Sequence, residues 1–377
     1  MTGVTGDPLL AQLRRHVRLH ARAQGLAPEH CRRLLAGISR TDGEGPGSWP
    51  VVWSRAGDAL AGRGRYLEAG RHYALARFPY AGPGDAVRHL AQERSVAAFD
   101  RWRRTQRGIG RLELRLAEGE FACWTAGLHP RGGPRPLVLV MGGIVSVKEQ
   151  WAPILARADA LGVAFAVTEL PGVGENTLRY GADSHRMISA VLDALADRAD
   201  VRRTSAVALS FGGHLALRAA LGDDRIRGIA TVGAPVHHFF LDRDWHPGVP
   251  AVTAHTLAHL IGCPPAEVFD AVRPWALTGD ELARLRVPVT YAAALRDDIV
   301  PLTETGALLS DPRAPHRVLF LDDEHGAPAE LARVRVMLLR AALRASGARP
   351  VRRAALAAAD GAGRLRAAVG RAGRLAV

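Results

Sequence analysis

The residues best suited to chemistry begin at Ser210, which follows the run Ser205-Ala206-Val207-Ala208-Leu209 and precedes Phe211-Gly212-Gly213-His214-Leu215-Ala216-Leu217. A serine on a sharp strand-to-helix turn adopts a positive φ where strand and helix nearly touch, so its neighbours two positions away must be small. Ala208 and Gly212 meet that demand, although Ala stands where glycine is more usual. The same pentapeptide would also serve as an ordinary turn in a doubly wound sheet, so partner residues must decide. A hydroxyl becomes a nucleophile when a neutral imidazole takes its proton, and the imidazole needs a carboxylate to fix its tautomer. Downstream, Ala294-Leu295-Arg296-Asp297-Asp298-Ile299-Val300-Pro301 and Asp322-Asp323-Glu324-His325-Gly326 supply both groups. Asp297 is preferred to Asp298 because Ile299-Val300-Pro301 then anchors the turn, while Asp322 and Asp323 are read as capping or solvating their loop. His325 is preferred to His316, which lies at the wrong end of its strand. An oxyanion needs two preorganised amides, expected from Phe211 and from Gly143 and Ile144 within Gly142-Gly143-Ile144.

Positioning these groups calls for an α/β scaffold. Short apolar strands are expected at 137–141, 163–168, 205–209, 228–232, 287–293 and 317–321, alternating with helical segments, which is the rhythm of a parallel sheet covered on both faces. Ser210, Asp297 and His325 each follow a strand, on the edge where open α/β sheets bind ligands. Residues 8–106 instead read as helices. Leu9, Leu10, Leu13, Val17 and Leu19 mark a first basic amphipathic helix, and Tyr66, Ala69, Gly70, Tyr73, Ala74 and Ala76 a later stripe. Alternation at Leu112, Leu114, Leu116, Phe121, Cys123 and Thr125 around Glu118-Gly119-Glu120 predicts a hairpin over 108–126. The boundaries expected are a helical region 1–107, an α/β region 108–346 and an Arg/Ala-rich tail 347–377. Segment 235–285 breaks the rhythm and is read as an insertion over the strand ends, placing His237, His238 and Phe239, with Gly142, against a substrate.

Composition narrows the function classes. The 377 residues carry 50 basic and 37 acidic side chains, a formal net charge of +13, yet Lys148 is the only lysine. Arginine replacing lysine throughout reads as a coding bias spread over a solvated surface, not a surface selected for phosphates, so neither nucleic acid nor membrane is expected as a partner. Cys31, Cys123 and Cys263 are far apart and in no metal-ligand spacing, which points to free thiols and a reducing compartment. Gly172-x-Gly174 lacks a third glycine and follows Pro171, which argues against a dinucleotide loop. No cofactor or metal is expected. With no basic stretch leading into an apolar run at the amino terminus, a cytoplasmic protein is expected.

At these residues the chain resembles the α/β-hydrolase superfamily, whose order along the chain is Ser, acid, His, and within it the FrsA-like group. Trp53-Ser54-Arg55-Ala56, Tyr73-x-x-Ala76-Arg77-Phe78-Pro79, Glu169-Leu170-Pro171-Gly172-Val173-Gly174-Glu175 and Gly233-Ala234-Pro235-Val236-His237 look like segments of that group. The resemblance implies an α/β-hydrolase fold with the amino-terminal helices as a cap, Ser210 as nucleophile, Asp297 as acid and His325 as base. It also implies esterase chemistry or carbon-carbon cleavage of β-diketones. The leading expectation is therefore a serine hydrolase that acts through an acyl-enzyme on an ester, thioester or β-diketone of an aromatic or polyketide-like acyl group. A transacylase or cyclase releasing a carrier-bound chain is the second reading, and a non-catalytic ligand-binding module the third. The partner expected is a small acyl substrate, free or carrier-bound, and a homodimer stays open.

Overall fold

The computed structural model describes residues 7–128 and 133–347. Its first hundred residues form five helices: α1 (Pro8–Ala23), α2 (Pro28–Ala36), α3 (Trp49–Ala61), α4 (Tyr66–Arg77) and α5 (Ala86–Arg103). The Asp7 carboxylate caps α1 by accepting from the Leu9 amide, and Pro8 fits the first turn, where no amide donor is needed. Leu10, Leu13, Val17 and Ala21 are the buried stripe of α1, packing with Trp49, Trp53, Leu75 and Phe78. The stripe expected on α4 understates its burial: Ala69, Gly70 and every residue from His72 to Arg77 are buried, because α3 and α5 flank it on both sides. Gly57 of α3 explains how the two helices come so close, since a Cβ there would lie 2.6 Å from the Tyr73 ring.

The hairpin follows as β1 (Ile109–Leu116) and β2 (Gly119–Ala126), joined by β3 (Pro136–Met141), β4 (Ala164–Thr168), β5 (Asp200–Ala208), β6 (Ile226–Val232), β7 (Val289–Ala294) and β8 (Arg317–Leu321). These eight make one sheet in the order β1-β2-β4-β3-β5-β6-β7-β8. β2 runs antiparallel to β1 and β4, and every pairing from β4 to β8 is parallel. All residues of β3 and β4 are buried, as strands covered on both faces must be. All six strands expected from the apolar runs are present, and β5 begins earlier than its apolar run. Its first turn carries exposed Arg202 and Arg203, which hid the strand from a hydrophobic pattern.

The remaining helices are α6 (Ala158–Leu161), α7 (Arg186–Leu195), α8 (Phe211–Ala220), α9 (His238–Leu241), α10 (Ala251–Ile261), α11 (Val268–Val272), α12 (Gly279–Arg284), α13 (Glu304–Leu308) and α14 (Leu331–Ala345). Helix α14 packs on β5 and β6, and α9 to α12 fill the segment between β6 and β7. The Val252 amide of α10 donates to the Gln12 side chain of α1 at 3.0 Å, tying that segment to the amino-terminal helices. Apart from Gly347, the Arg/Ala-rich tail lies outside the described residues. Among the described residues, no helix is long and apolar enough to cross a membrane.

Candidate active site

Ser210 sits between the end of β5 and the start of α8 with φ 51° and ψ −128°. Its only companion in positive φ among the described non-glycine residues is Ala327, two residues after His325. Such a conformation is strained for a side-chain-bearing residue and persists only where its surroundings dictate it. Here the Leu209 amide donates to Met141 O at the end of β3 at 3.0 Å, and the Ser210 amide donates to Val232 O at the end of β6 at 2.9 Å. The turn is thus pinned from both neighbouring strands. The small residues after it are dictated by the same closeness. A Cβ on Gly212 would lie 2.5 Å from Gly142 O, and one on Gly213 2.3 Å from Thr231 Oγ1. The Ala208 methyl is accommodated in the buried core.

From the loop after β8, His325 brings Nε2 to 3.2 Å from Ser210 Oγ. Its other nitrogen, Nδ1, donates to Asp297 Oδ2 at 2.8 Å and Oδ1 at 3.0 Å. Asp297 Oδ1 in turn accepts from the Ile299 and Val300 amides, each at 2.9 Å, so the residues expected to anchor the turn do so through the carboxylate itself. Asp298 points elsewhere: it pairs with Arg15 of α1 at 3.1 Å. Asp323 is buried and accepts from the amides of Glu324, Ala329 and Glu330, which fixes the His325 loop. His316 precedes β8, at the opposite end from His325. Burial works against a protonated His325, but the Asp297 charge and hydrogen bond outweigh it and raise its pKa above the ordinary imidazole value.

Around this line of three residues, backbone comes unusually close. A Cβ on Gly143 would lie 3.0 Å from Ser210 Cβ. Gly143, Ile144 and Phe211 all line the cavity that holds Ser210 and His325. Phe211 opens α8, so its amide is among those with no acceptor inside the helix. Gly233 has φ +57°, and a Cβ there would stand 2.8 Å from His325 Cε1 and 3.3 Å from Asp297 Oδ2. Nothing but hydrogen fits between that backbone and the imidazole.

The cavity has a volume of about 670 Å³ and mostly apolar walls. The four substrate contacts expected from sequence do not line it. Gly142 is packed under Ser146 and Trp151. Glu304, wholly buried on α13, accepts from the amides of Val236, His237, His238 and Phe239, and so turns that segment inward. His237 Nδ1 further donates to Leu277 O at 2.8 Å, and Phe239 is core. The segment between β6 and β7 reaches the cavity instead through Val252 and Thr253 of α10. From the amino-terminal region, α1 contributes Arg15, His16, Leu19 and His20. Leu19, expected with the apolar face of this helix, thus lies off the buried stripe of Leu10, Leu13, Val17 and Ala21 and on a second face with Arg15, His16 and His20 at spacings of three and four residues.

Behind the Gly142-Gly143-Ile144 turn lies a second cluster of charge. Lys148 is fully buried, its Nζ 2.9 Å from Glu169, 3.1 Å from Glu149 and 2.5 Å from Glu175. Burial disfavours its charge, yet three carboxylates overcome that and hold the ammonium protonated well above its ordinary range. Arg111 closes the cluster with a two-pronged hydrogen bond to Glu175. Arg77, also buried, donates to Val145 O at 3.0 Å, linking α4 to the same turn. Among the described residues, no group of three or more His, Cys, Asp or Glu side chains is placed to hold a metal ion.

A mostly parallel eight-stranded sheet, helices on both faces and a strained serine between β5 and α8 define the α/β-hydrolase fold. Residues 52–277 match the family described as FrsA-like, Esterase FrsA-like, and the chain belongs to that family. Among curated relatives, it is 28% identical over 229 residues to Esterase FrsA of Enterobacter sp. (strain 638), a match covering 56% of this chain. The chain spans 53% of that relative's length. Among solved structures it is similar to AbyA5 Wildtype, with 48% identity, a TM-score of 0.88, and coverage of 93% of this chain and 99% of that one. A 2,6-dihydroxy-pseudo-oxynicotine hydrolase has the same fold at 19% identity and a TM-score of 0.67, covering 86% of this chain and 96% of that one.

Proposed function

We propose that the protein is a serine hydrolase acting on a carbonyl compound through an acyl-enzyme. Ser210 Oγ attacks the carbonyl carbon while His325 Nε2 takes its proton, and the Asp297 carboxylate holds the imidazole in the Nδ1–H tautomer and stabilises the imidazolium. The Phe211 amide, with those of Gly143 and Ile144, receives the oxyanion. His325 then gives the proton to the leaving group, a water attacks the acyl-Ser210 ester with His325 as base, and the acid departs. One observation carries the reading: Ser210 Oγ, on a strained turn, is 3.2 Å from an imidazole whose far nitrogen is bound by a buried carboxylate. The same machinery serves an alcohol or thiol leaving group and a stabilised carbanion, so esters, thioesters and β-diketones are all within its chemistry. A cavity of about 670 Å³ with mostly apolar walls suits a bulky acyl group better than a short polar one. The helical residues before β1 act as a cap, with α1 as the cavity wall facing Ser210. Three unpaired cysteines are consistent with work in a reducing compartment.

The test is a panel of 4-nitrophenyl esters, N-acetylcysteamine thioesters and aryl β-diketones, with products identified by mass spectrometry. Release of a free acid that disappears in Ser210→Ala supports the proposal. Turnover that survives Ser210→Ala but not His325→Ala would replace it with general-base chemistry that forms no acyl-enzyme.

A further inference from the structure

The part of the cavity wall formed by α1 holds a polar feature that the proposed reaction does not use. His16 and His20 lie one turn apart on α1, and both line the cavity. Among the described residues no hydrogen-bond partner is found for a ring nitrogen of His20, a half-buried residue that lines the cavity. His16 has one nitrogen, Nε2, buried without a partner. An imidazole nitrogen buried without a partner, as His16 Nε2 is, is uncommon, since most polar groups away from water are satisfied. The His20 ring is held in place by Phe78, whose ring centroid is 5.2 Å away at a 48° tilt. Burial lowers the pKa of His20 to about 3, helped by the nearby charges of His16, His325 and Arg77, and burial likewise lowers that of His16. Near neutral pH His20 is therefore an uncharged ring with one donor and one acceptor.

We propose that His20, supported by His16, is the recognition point for a hydroxyl or carbonyl oxygen carried by the otherwise apolar substrate. A neutral imidazole can donate to a ketone or accept from a hydroxyl without the desolvation cost of a charged group, which suits a cavity of apolar walls. The site discriminates because a plain hydrocarbon chain would leave the nitrogens unpaired once water is displaced, and such asymmetry is what lets a pocket reject an analogue lacking a polar group. The positions of Leu19 and Gly326 keep this wall close to the base. A Cβ on Gly326 would lie 3.0 Å from Leu19, so α1 rests on the residue that follows His325. The Arg15 ion pair with Asp298 at 3.1 Å fixes the same helix against the loop that carries Asp297.

This inference rests on the substrate occupying the Ser210 cavity, and its test is separated from the acyl chemistry by using Ser210→Ala protein, which binds without turnover. The probes are the N-acetylcysteamine thioesters of hexanoic, 3-hydroxyhexanoic and 5-hydroxyhexanoic acid, with dissociation constants from calorimetry. At least one hydroxylated probe is expected to bind roughly five- to tenfold tighter than the hexanoyl probe, the advantage of about one neutral hydrogen bond. In Ser210→Ala/His20→Phe, which keeps a ring against Phe78, that ratio falls to near one, and His20→Asn restores part of it. The ¹⁵N resonances of the His20 imidazole in the Ser210→Ala protein should shift with the hydroxylated probe and not with the plain one, a readout that stands even if His20→Phe fails to fold. No preference for either hydroxylated probe, or a preference that persists in His20→Phe or leaves the His20 resonances unmoved, would overturn the proposal. Fluorophosphonate labelling of wild type reports on Ser210 separately, so either proposal can fail alone.

Discussion

Two clusters of buried charge, Asp297 with His325 and Lys148 with its carboxylates, are built to opposite ends. On one side, Asp297 and His325 form a chain in which each atom has a partner except at its tip, where Ser210 Oγ meets open cavity. On the other, Lys148 contacts Glu149, Glu169 and Glu175 with no tip at all, and its ammonium has no exposed surface. The first arrangement leaves a hydroxyl and an imidazole facing a cavity. The second consumes it in holding loops together, because the Glu169 carboxylate also accepts from the amides of Lys148 and Glu175. A buried ionic network is therefore not by itself a sign of chemistry; an unfinished one beside a cavity is.

The comparison can be broken by substitution, and the largest effects belong to the unfinished side. Ser210→Ala should lower kcat by about 10⁵ to 10⁶ with little change in melting temperature, measured on whichever ester or thioester the panel selects. Asp297→Asn should cost about 10⁴ in kcat, because the amide can bind the wrong imidazole tautomer, whereas Asp298→Asn should cost far less; the reverse ranking would exchange their roles. Gly233→Ala should lower kcat by about 10², since the new methyl meets His325 Cε1 and displaces the imidazole by a fraction of an ångström. The pH profile sharpens the same side. Because Asp297 raises the His325 pKa and only the neutral ring can act as base, kcat/KM should fall on acidification with a midpoint above the ordinary imidazole value of about 6.5. A midpoint clearly below that value would mean that the carboxylate does not reach the ring.

The closed cluster predicts a smaller effect on rate and a larger one on folding. Lys148→Met leaves Glu169 buried without its cation, and should destabilise the protein by about 3 to 5 kcal/mol in denaturant titrations. The folded fraction should lose less activity than Gly233→Ala does. A Lys148→Met protein as inactive as Ser210→Ala yet as stable as wild type would move Lys148 into the reacting machinery.

How much of this was legible in the sequence follows from range and pattern. The parallel strands are, because each is an apolar run bounded by turns, and the order Ser210, Asp297, His325 is visible once each is seen to follow a strand. The turn proposed to receive the oxyanion is readable as two glycines after β3. The misplacement of His237, His238 and Phe239 has a definite cause: aromatic and imidazole side chains suggest a pocket, but Glu304, more than sixty residues later, gathers the amides of that segment, leaving Phe239 in the core and the two histidines half-buried away from the cavity. Lys148 reads as an accident of composition because, beyond the adjacent Glu149, its partners Glu169 and Glu175 come from the loop after β4 and Arg111 from β1. His20 escapes notice because α1 shows two faces, and hydrophobic periodicity reports only the one against Trp49 and Trp53. Gly233 is likewise silent, since the imidazole it admits arrives from ninety residues downstream.

The central claim, that Ser210 is a nucleophile activated by His325 and Asp297, is tested most directly by incubating the protein with a fluorophosphonate and mapping the adduct by peptide mass spectrometry. A single label on Ser210, absent in Ser210→Ala and formed far more slowly in His325→Ala, is the predicted result. A wild-type protein that remains unlabelled where a control esterase reacts, or that carries its label on another residue, would contradict it.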